Sequence, residues 1–331
     1  MNGLEVKRAC ACQDLGGSKK RAVVFAYSSI GYECLAELLE GGIDVAALFT
    51  HEDDPGEEKW FLSVRSLAYG NSILLRTPEK LGEDDTRFIR EIQPDLIFSF
   101  SYRLVIPAAI LELAPLGAFN IHGALLPRYR GRACINWAVL NGETLTGVTL
   151  HHMVARVDEG RIVDQEPVPI GPDDTAHDVF KKMIPAARTV LKRSLPAILE
   201  GNTPGREQDE SLATYFGRRR PEEGQIDWSK PARDVYNLIR ALTHPFPGAF
   251  TFINGKKLFV WSAKPLFDYF DYNDYPEESE RRAEPGFVIS SSPLKISAVD
   301  GMLLITRAQW IDGEELEGDE LRLPVGVSAA E

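Results

Sequence analysis

Between Arg21 and His122, short apolar runs alternate with stretches of helical periodicity, and few folds accommodate that order. The run Arg21-Ala-Val-Val-Phe-Ala-Tyr27 is rich in strand formers. Gly31 to Leu39 then reads as a helix closed by Gly41-Gly42, and Val45 to Phe49 as a second apolar strand. Together they make a βαβ unit. Helices are expected next over Trp60 to Tyr69 and Arg87 to Ile92, and strands over Ile73 to Leu75, Asp95 to Phe100, Phe119 to His122 and Val148 to Val154. Strands that are apolar along their whole length are buried on both faces. Interleaved with helices, they predict an α/β class with a parallel-rich, doubly wound sheet. Such sheets bind ligands at the carboxyl ends of their strands, where the loops after Phe100 and His122 lie.

After a helix over Ala176 to Leu199, ending at Gly201, the character of the chain changes. Asn202 to Arg220 is polar, carries Pro204 and Gly205, and leads into Gly217-Arg-Arg-Arg-Pro221, the composition of a linker. A helix over Ala232 to Leu242 precedes short segments at Ala249 to Ile253, Lys257 to Ser262, Gly286 to Ser290, Leu294 to Ala298 and Met302 to Thr306. Short strands separated by turns predict a small β-barrel. At 331 residues the chain exceeds one typical domain. The expected organisation is an N-terminal extension over 1–20, a first domain over 21–207, a linker over 208–221 and a smaller domain over 222–331. The acidic stretch Asp268 to Glu284 reads as a solvated insertion.

The strand ending in Asn120-Ile121-His122 delivers an amide and an imidazole to one face, roughly 7 Å apart, because side chains at i and i+2 leave a strand on the same side. A neutral imidazole accepts a proton from an attacking nucleophile, and a carboxamide donates a hydrogen bond to an oxygen that gains charge. The pair suits addition to a carbonyl. It also fits a plainer reading, in which Asn120 caps a turn and His122 is a satisfied core histidine. Asp158, in Val157-Asp-Glu-Gly160, follows a strand and begins a glycine turn; a carboxylate there would orient the imidazole. Asp-x-Gly is equally a turn signal. Arg128, Arg130 and Arg132 follow Pro127 beside this site, either as a solvated basic loop or as a carboxylate or phosphate reader.

Charge and cysteine content narrow the remaining classes. Acidic residues outnumber basic ones 49 to 37, a formal net charge of -12 that repels polyanions, so nucleic acid is not expected as a partner. With 44% hydrophobic and 26% charged residues the composition is that of an ordinary globular protein. Cys10, Cys12, Cys34 and Cys134 form no paired framework, which predicts reduced thiols and a cytoplasmic location. No export signal is evident, and no stretch nears the roughly 18 apolar residues of a membrane span, so neither export nor membrane insertion is expected. No metal is predicted: Cys10-Ala-Cys12 lacks a second pair, and His151-His152, adjacent in a strand, point to opposite faces. The opening unit also lacks Gly-x-Gly-x-x-Gly, which argues against a dinucleotide.

The run Phe119-Asn-Ile-His-Gly-Ala-Leu-Leu-Pro-Arg-Tyr-Arg-Gly131, with Asp158-Glu-Gly-Arg-Ile162, resembles the formyltransferases that use 10-formyltetrahydrofolate. Within that family it is most similar to the formyltransferase domain of the bifunctional lipid A modification enzymes acting on UDP-4-amino-4-deoxy-L-arabinose. Phe25-Ala-Tyr27, Phe49-Thr-His51, Asp54-Pro-Gly-Glu57, Phe98-Ser-Phe100, Asn141-Gly-Glu-Thr144, Gly217-Arg-Arg219 and Pro247-Gly-Ala-Phe250 share the likeness, which runs from Arg21 to about Thr306.

The resemblance implies a Rossmann-like catalytic domain followed by an OB-like barrel. It implies formyl transfer from 10-formyltetrahydrofolate to the amine of a nucleotide-linked amino sugar, with His122 as general acid and base, Asn120 stabilising the oxyanion and Asp158 tuning His122. Leu104, Val105, Ile106, Arg132, Val154, Ala155, Arg156 and Val157 match the folate pocket, and Arg218 and Arg219 are the candidates for a diphosphate. The family serine two residues after the histidine is Ala124 here. The lipid A enzymes carry a further decarboxylase domain, whereas this chain ends soon after its short strands, so neither decarboxylation nor the hexamer of the fusion is expected. A homo-oligomer is allowed. Methionyl-tRNA formyltransferase shares the two-domain plan, and Gly224-Gln-Ile-Asp-Trp228 resembles it too. A folate- or sugar-sensing module would require a missing member of the Asn-His-Asp set, and none is missing.

Overall fold

The computed structural model describes residues 19–53, 60–266 and 283–329. Most of the N-terminal extension, with Cys10 and Cys12, the Asp54-Pro-Gly-Glu57 motif and most of the acidic insertion lie outside the described residues. The first half runs β1 (Arg21–Ala26), α1 (Ser28–Glu40), β2 (Asp44–Phe49), α2 (Val64–Gly70), β3 (Leu74–Arg76), α3 (Glu83–Ile92), β4 (Leu96–Phe100), α4 (Ala108–Leu111), β5 (Ala118–His122), β6 (Arg130–Gly131), α5 (Cys134–Leu140), β7 (Leu145–His152), β8 (Ile162–Pro169) and α6 (Ala176–Leu199).

Seven of these strands form one sheet in the order β3-β2-β1-β4-β5-β7-β8. β1 is central and buried from Ala22 onward. Its alternation divides the core: Ala22, Val24 and Ala26 face a cluster with Ile30, Leu35 and Leu38 of α1 and Val190 and Leu191 of α6, while Val23 and Phe25 face Ile89 of α3 and Ile110 of α4. Each fully buried Leu, Ile or Phe contributes about 1.5–3 kcal/mol, so both faces are strongly driven. α6 keeps its predicted bounds in spite of Pro185 and Pro196 inside it. It starts at a capping box, in which Thr175 Oγ1 accepts from Asp178 N at 3.1 Å and Asp178 Oδ2 accepts from Thr175 N at 3.1 Å.

The five strands β3 to β5 of this order are parallel, as expected, but β7 and β8 join antiparallel. The connection from β5 to β7 carries α5, which packs against the later helix α7 (Ala232–Leu242) and shares the core of β7 through Ala138 and Val139. β8 had no apolar run to announce it. It is a polar edge strand containing Pro167 and Pro169, where missing ladder donors cost least.

The second half contains β9 (Tyr215–Phe216), α7, β10 (Ala249–Ile253), β11 (Lys256–Leu266), β12 (Val288–Ser291), β13 (Leu294–Ala298), β14 (Gly301–Trp310) and β15 (Glu315–Glu317). Six of these strands form an antiparallel sheet, with the path β10-β11-β14-β13-β12 and β15 on β14. α7 lays Val235, Tyr236 and Ile239 on it. Among the described residues no strand pairing closes this path into a barrel. The stretch expected as a linker is tied down: β9 pairs in parallel with β6, through Arg130↔Tyr215 and Gly131↔Phe216. No described helix is long and apolar enough to cross a membrane.

Candidate functional site

β5 carries Asn120 and His122 on one face, and its antiparallel register with β7 sets His151 opposite Asn120 and Thr149 opposite His122. The turn after β7 returns Asp158 to the same place. Asp158 has φ 59°, and the chain can make this turn because residue 160 is glycine: a Cβ there would fall 1.7 Å from the His152 carbonyl oxygen. Three of the four are nearly inaccessible, with exposures of 7% for His122, 7% for Asp158 and 1% for His151.

Asp158 Oδ2 accepts from Gly131 N at 2.9 Å and lies 3.4 Å from His122 Nδ1, while Oδ1 lies 3.5 Å from His151 Nε2. Burial works to raise the Asp158 carboxyl, yet His122 and the Gly131 N–H hold it well below the usual carboxylate range. The charge-assisted bond to Gly131 is of a kind that contributes about 1.5–3 kcal/mol. Gly131 itself has φ 98°, and a Cβ there would fall 2.3 Å from the Phe216 carbonyl oxygen. His122 Nε2 is 2.7 Å from the Tyr129 carbonyl, so that nitrogen carries the proton donated there. The structure thus brings Asn120, His122 and Asp158 together, but the wall of the adjoining cavity is formed by Asn120, His151 and Asp158 and not by His122.

That cavity measures about 390 Å³. Leu104, Val105, Ile106, Arg132, Val154, Ala155 and Val157 line it. Val105 is 68% exposed, Val154 47% and Val157 48%, an apolar rim that offers flat contact to a ligand. Arg156 is absent from the wall; its guanidinium points outward and pairs with Glu159 at 3.4 Å. Ala124 is also away from the wall, wholly buried in the core, with its carbonyl accepting from Thr149 Oγ1 at 2.6 Å.

The three arginines after Pro127 separate into different roles. Arg128 pairs with Glu143 at 2.6 Å, and Glu143 also accepts from the Tyr129 hydroxyl at 2.8 Å, which accounts for the Asn141-Gly-Glu143 motif locally. Arg130 is fully buried and does read a carboxylate, an internal one: its guanidinium donates to Glu210 at 2.6 and 3.0 Å and to Gln208 at 2.8 and 3.1 Å. Arg132 faces open space.

A second cavity, also about 390 Å³, shares Arg103, Arg132 and Ala133 with the first. Arg218, Arg219 and Arg220 complete a ring of five arginines, facing an apolar wall of Leu242, Phe246 and Pro247. Arg219 lies over the Trp137 ring at 4.6 Å and donates to the Glu223 carbonyl at 2.8 Å, and Trp137 Nε1 donates to the Gly217 carbonyl at 3.0 Å. Crowding of like charge shows in the ionisation. Burial, then Arg218 and Arg103, lower the Arg132 guanidinium; burial, then Arg103 and Arg132, hold His51 down to about 4. Neutral His51 accepts from Arg103 N at 2.9 Å and fixes the start of the loop after β4. Sequence reasoning found Arg132, Arg218 and Arg219 but missed Arg103, Arg220, His51 and His151. Among the described residues no group of three or more His, Cys, Asp or Glu side chains could hold a metal ion. His151 and His152 do point apart, His152 reaching the Thr203 carbonyl at 2.9 Å. Cys34 and Cys134 are free, and burial pushes the Cys134 thiol up to about 12.

Residues 20–195 match the Formyl transferase family, and residues 219–322 match the Formyl transferase C-terminal domain. The chain belongs to the formyl transferase family. Among solved structures this formyl transferase is similar to WlaRD, a sugar 3N-formyl transferase determined in the presence of dTDP and 5-N-formyl-THF, at 23% identity and TM-score 0.65 over 90% of this chain and 100% of that one. An N-formyltransferase from Helicobacter canadensis, in complex with folinic acid and dTDP-3-aminofucose, gives 21% identity and TM-score 0.65 with the same coverage. HypX from Aquifex aeolicus, bound to tetrahydrofolic acid, gives 19% and 0.60 over 91% of this formyl transferase and 46% of its own chain. At these identities the likeness is one of fold.

Proposed function

We propose that the protein transfers the formyl group of 10-formyltetrahydrofolate to the amine of a nucleotide-linked amino sugar. The observation that carries this reading is the pair of joined cavities: one has an apolar rim and ends at Asn120 and Asp158, the other presents five arginines against an apolar wall. A pterin with its formyl carbon suits the first, and a nucleoside diphosphate suits the second. The 5-N-formyl-THF and dTDP of WlaRD, and the folinic acid and dTDP-3-aminofucose of the Helicobacter canadensis enzyme, support the same pairing. The motif resemblance favours UDP-4-amino-4-deoxy-L-arabinose as the sugar.

In this reading the unprotonated amine attacks the formyl carbon and the carbonyl oxygen gains charge beside the Asn120 amide. His122 must then accept the amine proton. Asp158 beside Nδ1 favours the tautomer with the proton on that nitrogen, so that Nε2 becomes the base once it exchanges the Tyr129 carbonyl for the substrate amine. His122 returns the proton to the departing folate nitrogen, and the carbon–nitrogen bond to the folate breaks as the formamide forms. Arg218 and Arg219, with Arg103 and Arg132 at the junction of the cavities, hold the diphosphate. The test offers the protein 10-formyltetrahydrofolate with UDP- and dTDP-linked amino sugars and with methionyl-tRNA, scoring transfer by mass spectrometry. Formylation of an amino sugar is expected; formylation of methionyl-tRNA alone would overturn the choice of acceptor.

A further inference from the structure

One buried group at the reaction centre has no part in the mechanism above. His151 is 1% exposed and stands across the β5–β7 ladder from Asn120. Its Nδ1 is 2.8 Å from the His152 carbonyl, which only accepts, so Nδ1 carries the ring proton. Nε2 therefore presents a lone pair; Asn120 Nδ2 lies 3.1 Å from it, nearer than Asp158 Oδ1 at 3.5 Å, which makes no hydrogen bond to that nitrogen. The carboxamide is thereby oriented: turned over, it would set its oxygen against the Nε2 lone pair, acceptor against acceptor. One amide N–H is bound by His151; for the second no partner is found among the described residues, and Asn120 lines the cavity.

We infer that His151 is a positioning residue for formyl transfer, locking the Asn120 carboxamide in the orientation that leaves an N–H for the developing oxyanion. The inference rests on the role proposed for Asn120. Without the His151 lone pair the amide rotates, and one of its two orientations presents oxygen to an oxygen gaining negative charge. Loss of an outright oxyanion donor costs about 10²–10³ in kcat, which sets the ceiling for losing its orientation alone.

His151→Leu is expected to lower kcat about 10- to 100-fold with the KM for 10-formyltetrahydrofolate within about 2-fold, inside that ceiling. His151→Gln, whose side-chain oxygen again accepts from Asn120, is expected to recover most of the loss. In an Asn120→Ala background, His151→Leu should slow turnover no further, because the group it orients is gone. With selectively ¹⁵N-asparagine-labelled protein, the Asn120 side-chain amide resonance should move in His151→Leu and return in His151→Gln. Wild-type kcat in His151→Leu, an unmoved amide resonance, or a full multiplicative loss in the double variant would overturn the inference. Wild-type kcat in Asn120→Ala would instead remove the Asn120 role, and this proposal with it.

Discussion

The reaction centre and the arginine cavity adjoin, yet they are built on opposite principles. At the centre, Asn120, His122, His151 and Asp158 spend their polar atoms on one another and on backbone groups, and one carboxylate is surrounded by rings and an N–H. Next door, five arginines share one space with the apolar side chains of Leu242, Phe246 and Pro247. The first region is organised before any ligand arrives, and its geometry serves a transition state. The second gathers positive charge in one space, which suits an anion. Changes at the centre should therefore appear in kcat, and changes in the arginine ring in KM and salt dependence.

The largest expected effect tests the first half of that contrast. His122→Ala and Asp158→Asn should each lower kcat by about 10²–10⁴, the range for a lost general acid–base group, with circular dichroism unchanged. Undiminished turnover by a folded His122→Ala protein would break the assignment. Next comes Gly131, which joins the two regions by donating to Asp158 while backing onto Phe216. Gly131→Ala puts a Cβ at positive φ against a backbone carbonyl that cannot move aside, and should cost about 1–3 kcal/mol in urea unfolding. It should lower kcat as well, because Asp158 loses its place.

Arg218→Ala and Arg219→Ala sharpen the other half. Each should raise the KM for the nucleotide sugar about 10-fold with kcat within about 2-fold, consistent with a charge-assisted bond worth about 1.5–3 kcal/mol. Raising the salt concentration should weaken acceptor binding in the wild type more than in either variant. Equal losses in kcat would erase the distinction between the regions. The smallest effect lies outside both. The capping carboxyl of Asp178 is lowered to about 2; burial opposes the shift, and Lys181 and the hydroxyl and N–H of Thr175 produce it. Its stabilisation is full above about pH 4, the ordinary carboxylate value, and is lost as pH falls toward 2. Asp178→Asn should flatten the fall of Tm in that window. Asp158, also held below the usual carboxylate range, should go on contributing to the fall in the same variant.

Much of this was legible in local pattern. The apolar runs around Val23, Leu48, Phe98 and Phe119 announced central strands because a parallel strand buried on both faces needs no polar alternation. The edge strand β8 escaped notice for the complementary reason: Gln165, Glu166 and Pro167 are acceptable only where one side of the ladder is free. Arg130 looked like a surface cation until the 208–216 segment folded over it, since its acidic partner Glu210 lies 80 residues away. His151 was visible only as half of an adjacent pair. Its function-bearing contact is set by the register of β7 against β5, and nothing near it in sequence specifies that register.

The amino-acid sequence by itself determined the strand–helix order, the common face of Asn120 and His122, and the glycine turn that carries Asp158, because each follows from a two-residue or helical period or from one backbone constraint. Tertiary structure alone decided that β7 runs antiparallel, that His151 meets Asn120, that His122 is held by Tyr129 behind the cavity wall, and that arginines from three separate segments share one space. Those outcomes depend on which distant surfaces pack together, and packing energy is summed over the whole core; no local window of the chain contains it.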